Sequence, residues 1–173
     1  MNEIYTDGAC SKNPGPGGWA FVVVEQGIAT YNTGGSEKHT TNNRMELTAI
    51  LEACKYIDTQ PEGRWTIYAD SAYCINCYGA GWWRKWVENG WMTSQNKPVL
   101  NQDLWEKLIP YFRRPEIRFC KVKGHANNQF NHIVDELAVS WRMENEGDLV
   151  YYCRWVSSLW KIYFCIILQG NYW

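Results

Sequence analysis

The sequence lacks an excess of charge of either sign. Seventeen Lys and Arg face eighteen Asp and Glu across 173 residues, a net charge of −1. That balance argues against a protein that holds nucleic acid by bulk charge alone, though not against one that binds through a local groove. It also lacks an even, regularly spaced set of cysteines: the seven stand at 10, 54, 74, 77, 120, 153 and 165. With no signal-peptide pattern at its start, this predicts a reducing, cytoplasmic compartment rather than a disulfide-stapled secreted domain. Cys74 and Cys77 form a CxxC, but no second Cys/His pair lies near, so two small buried residues on a helix are a better reading than zinc or redox chemistry. No internal repeat is visible. What the chain does have is a hydrophobic fraction of 46% and a charged fraction of 20%, enough for one domain with a real core. It is also 16% aromatic with 11 Trp, more rings than a minimal core needs.

The pattern along the chain predicts an α/β domain. Residues 3–9 (EIYTDGA) read as a strand, with Ile4 and Thr6 on one face and Tyr5 and Asp7 on the other. The breaker-rich NPGPGG at 13–18 reads as a rigid turn. Residues 19–25 are β-branched and extended, and 28–36 close an antiparallel meander. Residues 40–43 (TTNN) then offer N-cap chemistry, and Met45, Ala49, Ile50, Ala53 and Ile57 follow at helical spacing. Beyond Pro61 and Gly63 the reading is strand 65–70, short helices 71–79 and 82–88, helix 103–112, strand 117–122 and helix 133–146. Three strands followed by alternating helices and strands predict a five-stranded mixed sheet flanked by helices. The first and fourth strands run parallel if they are neighbours, because a helical crossover joins them.

Asp7 and Asp70 fall at the carboxyl ends of their strands, where sites form in open α/β sheets. Glu46 lies one turn into the first helix and Asp135 near the start of the last. Four acids from four elements can therefore converge. Packed together they repel, each raising the others' pKa, and divalent cations remove that penalty. Mg²⁺ prefers hard oxygen ligands, and two such ions can activate water and stabilise a leaving oxygen in phosphodiester cleavage. Taken singly, each acid could equally be a turn, cap or surface residue.

The chain closely resembles type 1 ribonuclease H, the single-domain cellular and bacterial form. The matching segments are YTDGACSKNPGPGGWA (5–20), TTNNRMELTAI (40–50), YADSAYC (68–74), GWMTSQNKPVLNQDLWEKL (90–108) and VKGHANNQFNHIVDELA (122–138), in family order and spacing. The resemblance implies a ribonuclease H-like fold over residues 1–146. It also implies endonucleolytic hydrolysis of the RNA strand of RNA–DNA hybrids with two Mg²⁺ or Mn²⁺ ions, leaving 5′-phosphate and 3′-hydroxyl ends. Asp7, Glu46, Asp70 and Asp135 match the catalytic acids and metal ligands. His125, in a Lys-Gly-His context, matches a loop histidine that assists proton transfer or product release. His39 stands where relatives often carry Arg near phosphate, and His132 reads as an ordinary helix residue.

By the same resemblance Cys10, Asn13, Asn42 and Asn43 contact the RNA strand, while Thr41 and Asn101 form a DNA-phosphate pocket. The 2′-hydroxyl is the handle by which RNA is told from DNA, and short polar side chains suit that task. The asparagines also suit turn and cap duty. Trp82 and Trp105 are the candidates for DNA contact, with Trp86 and Trp91 assigned mostly to packing. Ala72 replaces a Gln often used for the RNA strand. The handle segment 82–97 carries Arg84, Lys85 and Lys97 against Glu88, fewer positive charges than many bacterial relatives have, which predicts weak hybrid affinity. The rivals to this reading are a non-catalytic hybrid-binding module and a same-fold nuclease of integrase or resolvase type. Nothing demands more than a monomer.

Residues 147–173 fall outside the resemblance and hold eight aromatics. Arg154, Ser157, Ser158 and Lys161 interrupt an apolar stretch of spanning length at i, i+3, i+4 and i+7, the stripe of an amphipathic helix. Docking on the domain, contact with a membrane or protein partner, and frameshifted or read-through coding all remain open for this tail.

Overall fold

In chain order the elements are β1 (Asn2–Cys10), β2 (Gly15–Glu25), β3 (Ile28–Thr40), α1 (Asn42–Asp58), β4 (Trp65–Ala69), α2 (Ala72–Gly79), α3 (Trp82–Glu88), α4 (Gln102–Phe112), β5 (Ile117–Lys121) and α5 (Gln129–Glu146). The structure is a computed structural model that describes residues 2–122 and 128–146. His125 and the 147–173 tail lie outside the described residues. Among those described, no helix is long and apolar enough to cross a membrane.

The sheet order is β3-β2-β1-β4-β5. β1, β2 and β3 form the antiparallel meander, and β4 joins β1 in parallel, as a crossover through α1 requires. β5 adds to β4, also in parallel. Side chains alternate across the strands. Ile4, Phe21, Val23, Ile67 and Phe119 therefore meet Leu47, Ile50 and Leu51 of α1 and Trp105 and Leu108 of α4 on one face. Tyr5, Ala20, Val22 and Val24 meet Val134, Leu137 and Ala138 of α5 on the other. Each buried Leu, Ile or Val contributes about 1.5–3 kcal/mol, which makes the alternation the main determinant of register.

Two glycines let helices approach the sheet. A Cβ on Gly8 would overlap the backbone of Met45 and Glu46, so the absence of a side chain brings the first turn of α1 against the end of β1. A Cβ on Gly18 would overlap the Ala138 carbonyl and the Arg142 nitrogen, so α5 rests directly on β2.

Three boundaries differ from expectation. β2 starts at Gly15, inside the segment read as a turn, because the extended Gly-Pro-Gly-Gly backbone pairs with β3 through an irregularity between Gly15 and Gly17. For the same reason β3 runs on to Thr40, past the expected end at 36. α5 starts four residues early because Asn128 caps it, its Oδ1 accepting from Phe130 N at 3.0 Å and Asn131 N at 3.3 Å.

Candidate active site

The parallel register of β1 and β4 ends at Thr6↔Ala69. One step further along each chain stand Asp7 and Asp70, on neighbouring strands that run about 4.8 Å apart in a sheet. Glu46 comes from the helix turn that Gly8 admits, and Asp135 from the second turn of α5.

The electrostatics are those of carboxylates drawn toward one another. Burial, then the charge of Asp70, with Asp135 adding, push the Asp7 carboxyl up to about 8. The Gly8 backbone N–H offsets part of this. Burial also raises Glu46, and Asp70 adds to the rise. Two donors oppose it: the Ser71 hydroxyl, and the Asn42 amide, whose Nδ2 donates to Glu46 Oε1 at 2.9 Å. The surroundings thus oppose ionisation of Asp7, a cost that a bound cation would remove. The donor set consists of hard carboxylate oxygens and so fits Mg²⁺ or Mn²⁺. Among the described residues no three His, Cys, Asp or Glu side chains are gathered so that they alone could hold a metal ion. An open arrangement suits Mg²⁺, which takes one or two carboxylates, several waters and substrate phosphates.

The polar residues around the acids form a connected string. Asn13, on the exposed turn before β2, accepts from the Asn42 backbone N–H at 3.0 Å through its Oδ1, and Asn42 in turn reaches Glu46. Asn43 is exposed in the first turn of α1. Cys10 is half-buried at the end of β1, with its Sγ 3.4 Å from the Thr40 carbonyl oxygen. Thr41 caps α1, its Oγ1 accepting from Arg44 N at 3.4 Å. Arg44 places Nη1 3.4 Å from Asn101 Oδ1 and forks onto Asp103 at 2.8 and 2.9 Å. Thr41, Arg44 and Asn101 therefore share one corner at the start of α1 and α4.

The tryptophans need one correction. Trp82 is 40% exposed and packs on Trp86 at 6.5 Å between centroids, as expected for a ring available to a strand of nucleic acid. Trp105 is 0% exposed, enclosed by Tyr73, Trp86 and Phe112, so it has no surface to offer DNA and belongs to the core. Trp83 is also buried, with the guanidinium groups of Arg84 and Arg113 over its ring. Cys74 and Cys77 are both buried on α2, and burial pushes the Cys77 thiol up to about 12, as for small apolar packing residues.

Ser71, Arg44 and Asn128 had not been singled out in the sequence. Ser71 carried a signal, as the residue after Asp70 and before a helix, and it caps α2 by accepting from Cys74 N. A cavity of about 570 Å³ lined by Ile57, Pro61, Arg64, Trp65 and Arg114 opens at the opposite pole, where β4 begins, and holds none of the four acids.

A mixed five-stranded sheet with acids gathered beyond the ends of its two central parallel strands is the architecture of a ribonuclease H-like domain. The chain belongs to the RNase H family, whose model matches residues 1–142. It is 48% identical to the Ribonuclease H of Caldanaerobacter subterraneus subsp. tengcongensis over 136 residues, 79% of this chain and 87% of that protein. Among solved structures it is similar to LC9-RNase H1, a type 1 RNase H with the type 2 active-site motif. That match has a TM-score of 0.67 and 26% identity, covering 83% of this chain and 72% of the other. It also shares its fold with LC11-RNase H1 in complex with RNA/DNA hybrid, at a TM-score of 0.56 and 22% identity, covering 80% and 97%. Family and relatives together make this chain a ribonuclease H enzyme.

Proposed function

We propose that residues 1–146 form a monomeric catalytic domain that cleaves the RNA strand of RNA–DNA hybrids internally. The cleavage uses two divalent ions, Mg²⁺ or Mn²⁺, and leaves 5′-phosphate and 3′-hydroxyl ends. The observation that carries this reading is the placement of Asp7, Glu46, Asp70 and Asp135 at one end of the sheet, with Asp7 pushed up to about 8 by its surroundings. Asp7 and Asp70 would hold the cations centrally, with Glu46 and Asp135 on either side. When bound, the ions supply activation of water and neutralisation of charge on the phosphodiester. The Asn42 amide and Ser71 hydroxyl fix the Glu46 carboxylate, so the acid is oriented before substrate arrives. The Asn13–Asn42 pair runs from the exposed turn to that acid and presents short polar groups suited to ribose 2′-hydroxyls. Thr41 and Asn101 would take a phosphate of the DNA strand, and Trp82 its sugars. The relative solved with RNA/DNA hybrid supports that substrate for this fold. The reading includes a reducing, cytoplasmic setting, in which the five cysteines of the described region, all free, would stay thiols.

The test is cleavage of matched hybrid, double-stranded RNA and double-stranded DNA with Mg²⁺, then with chelator. Only the hybrid should be cut, and chelation should stop it. Asp70→Asn should abolish cleavage while leaving the fold intact; retained activity would show that the site lies elsewhere.

A further inference from the structure

Asn101 has a backbone that needs explaining. It stands at the N-cap position of α4 with φ 59° and ψ 31°, the left-handed region, and its side chain makes no capping bond to its own helix. Asn tolerates this conformation better than most residues, yet at a cost, and such strain persists only where the surroundings enforce it. The side chain that forgoes capping turns instead toward Arg44 and the Thr41 corner.

The surroundings that enforce it are visible. The carbonyl of Asn101 accepts from Leu104 N at 3.0 Å and Trp105 N at 3.1 Å, both in the first turn of α4. The preceding carbonyl, that of Leu100, is met at 3.5 Å by the hydroxyl of Tyr73 on α2. The same hydroxyl lies 3.1 Å from Nε1 of Trp105. An indole N–H can only donate, so the Tyr73 oxygen accepts there and its single proton is directed at Leu100. The Trp105 ring is fully buried and packs edge-on against Tyr73 at 5.3 Å, which leaves the hydroxyl little freedom. Both carbonyls flanking the Asn101 side chain are therefore pinned to the same core tryptophan, one directly and one through Tyr73. Tyr73 also lies in the first turn of α2, three residues after Asp70, so one helix start ties the acids to this corner.

We propose that Tyr73 is a positioning residue: its hydroxyl, oriented by Trp105, holds the Leu100–Asn101 peptide so that Asn101 is preset for a phosphate of the DNA strand. This rests on the reading of Thr41 and Asn101 as a DNA-phosphate pocket. It assigns the buried Trp105 a part in substrate binding that its lack of exposed surface would otherwise deny.

The experiment is steady-state cleavage of an RNA–DNA hybrid by the full chain and by Tyr73→Phe, Asn101→Ala, the double variant and Tyr73→Phe/Trp105→Phe. Loss of one hydrogen bond should raise KM about three- to tenfold in Tyr73→Phe, with kcat within about twofold. The Tyr73→Phe/Asn101→Ala double variant should have a KM within about twofold of Asn101→Ala alone, because both changes remove the same contact. Tyr73→Phe also leaves the Trp105 N–H without a partner, so its Tm should fall; adding Trp105→Phe should lower Tm further through the core cavity it leaves, with no further rise in KM. An unchanged KM in Tyr73→Phe, multiplying effects in the Tyr73→Phe/Asn101→Ala variant, or a KM that keeps rising in step with the further loss of Tm in Tyr73→Phe/Trp105→Phe would overturn the role of Tyr73. An unchanged KM in Asn101→Ala would instead overturn the phosphate pocket on which the proposal stands.

Discussion

Asp7 concentrates the charge problem of the site in one side chain. Its folded pKa of about 8 lies above the unfolded carboxylate value of 3.8. Between those values the folded state binds more protons than the unfolded state, so stability falls as pH rises through the window. The metal-free protein should thus be most stable below about pH 4 as far as this group is concerned, and should lose that contribution by about pH 8. Asp7→Asn removes the titration: at pH 8 without metal it should raise stability by on the order of 2–4 kcal/mol, and at pH 4 it should change little. Chemical denaturation in chelator at the two pH values measures this. An equal effect at both would mean that Asp7 does not carry the repulsion. Adjacent tryptophans make a second contrast at this scale. Trp83 is 5% exposed and Trp82 40%. Trp83→Ala should cost about 3–5 kcal/mol of stability. Trp82→Ala should cost well under about 1 kcal/mol but raise the hybrid KM several-fold, if the exposed ring meets the DNA. Thermal melts and KM of the two variants separate the cases.

At the scale of elements, the approach of α1 to β1 sets the distance between Glu46 and Asp7, and Gly8 is what permits it. Gly8→Ala has no flexible side chain to push aside, only the backbone of Met45 and Glu46. It should therefore cost about 1–3 kcal/mol by overpacking and lower kcat through displacement of Glu46. A melt and a kcat measurement that both match the parent would refute this account of the turn. Elements with strong periodicity were legible in the sequence: α1 from its cap and its five apolar positions, and β1 and β4 from alternation and from acids at their ends. The start of β2 was not, because Gly-Pro-Gly-Gly has the local chemistry of a turn and only the partner strand makes it extended. The start of α5 was hidden because Asn128 stands in a polar run where any of several residues could cap. The four acids could be named from strand ends and spacing, and Asn42 stands four residues before Glu46 on the same helix, but the other donor to that acid, Ser71, comes from the start of α2 and meets it only once the chain is folded. The expectation for Trp105 rests on the resemblance, which gives a position in the chain but not its exposure; the packing of α2 and α3 decides that the ring is dry.

Across the whole molecule the near-zero net charge conceals an uneven distribution. Up to residue 146 there are fifteen basic and seventeen acidic residues, and four of the acids are proposed to meet metal ions. On the proposed reading the handle would hold the side of the hybrid away from the acids, and Arg84 there already lies over the Trp83 ring, 4.7 Å from its centroid. Phosphate contact is left chiefly to Lys85 and Lys97, opposed by the exposed Glu88 at the end of α3. Each phosphate neutralised by a cation steepens the fall of log K with log salt by about 0.7–0.9, so few contacts mean weak binding and a shallow slope. Glu88→Lys exchanges an opposing charge for a cation without touching the acids or the core. It should tighten hybrid binding at low salt several-fold and steepen the salt slope by about one contact's worth. It should leave kcat at saturating substrate unchanged. Hybrid Kd measured at 50, 100 and 200 mM salt with chelator present tests the claim. An identical slope in parent and variant would place the handle outside the bound hybrid, and Trp82 with it.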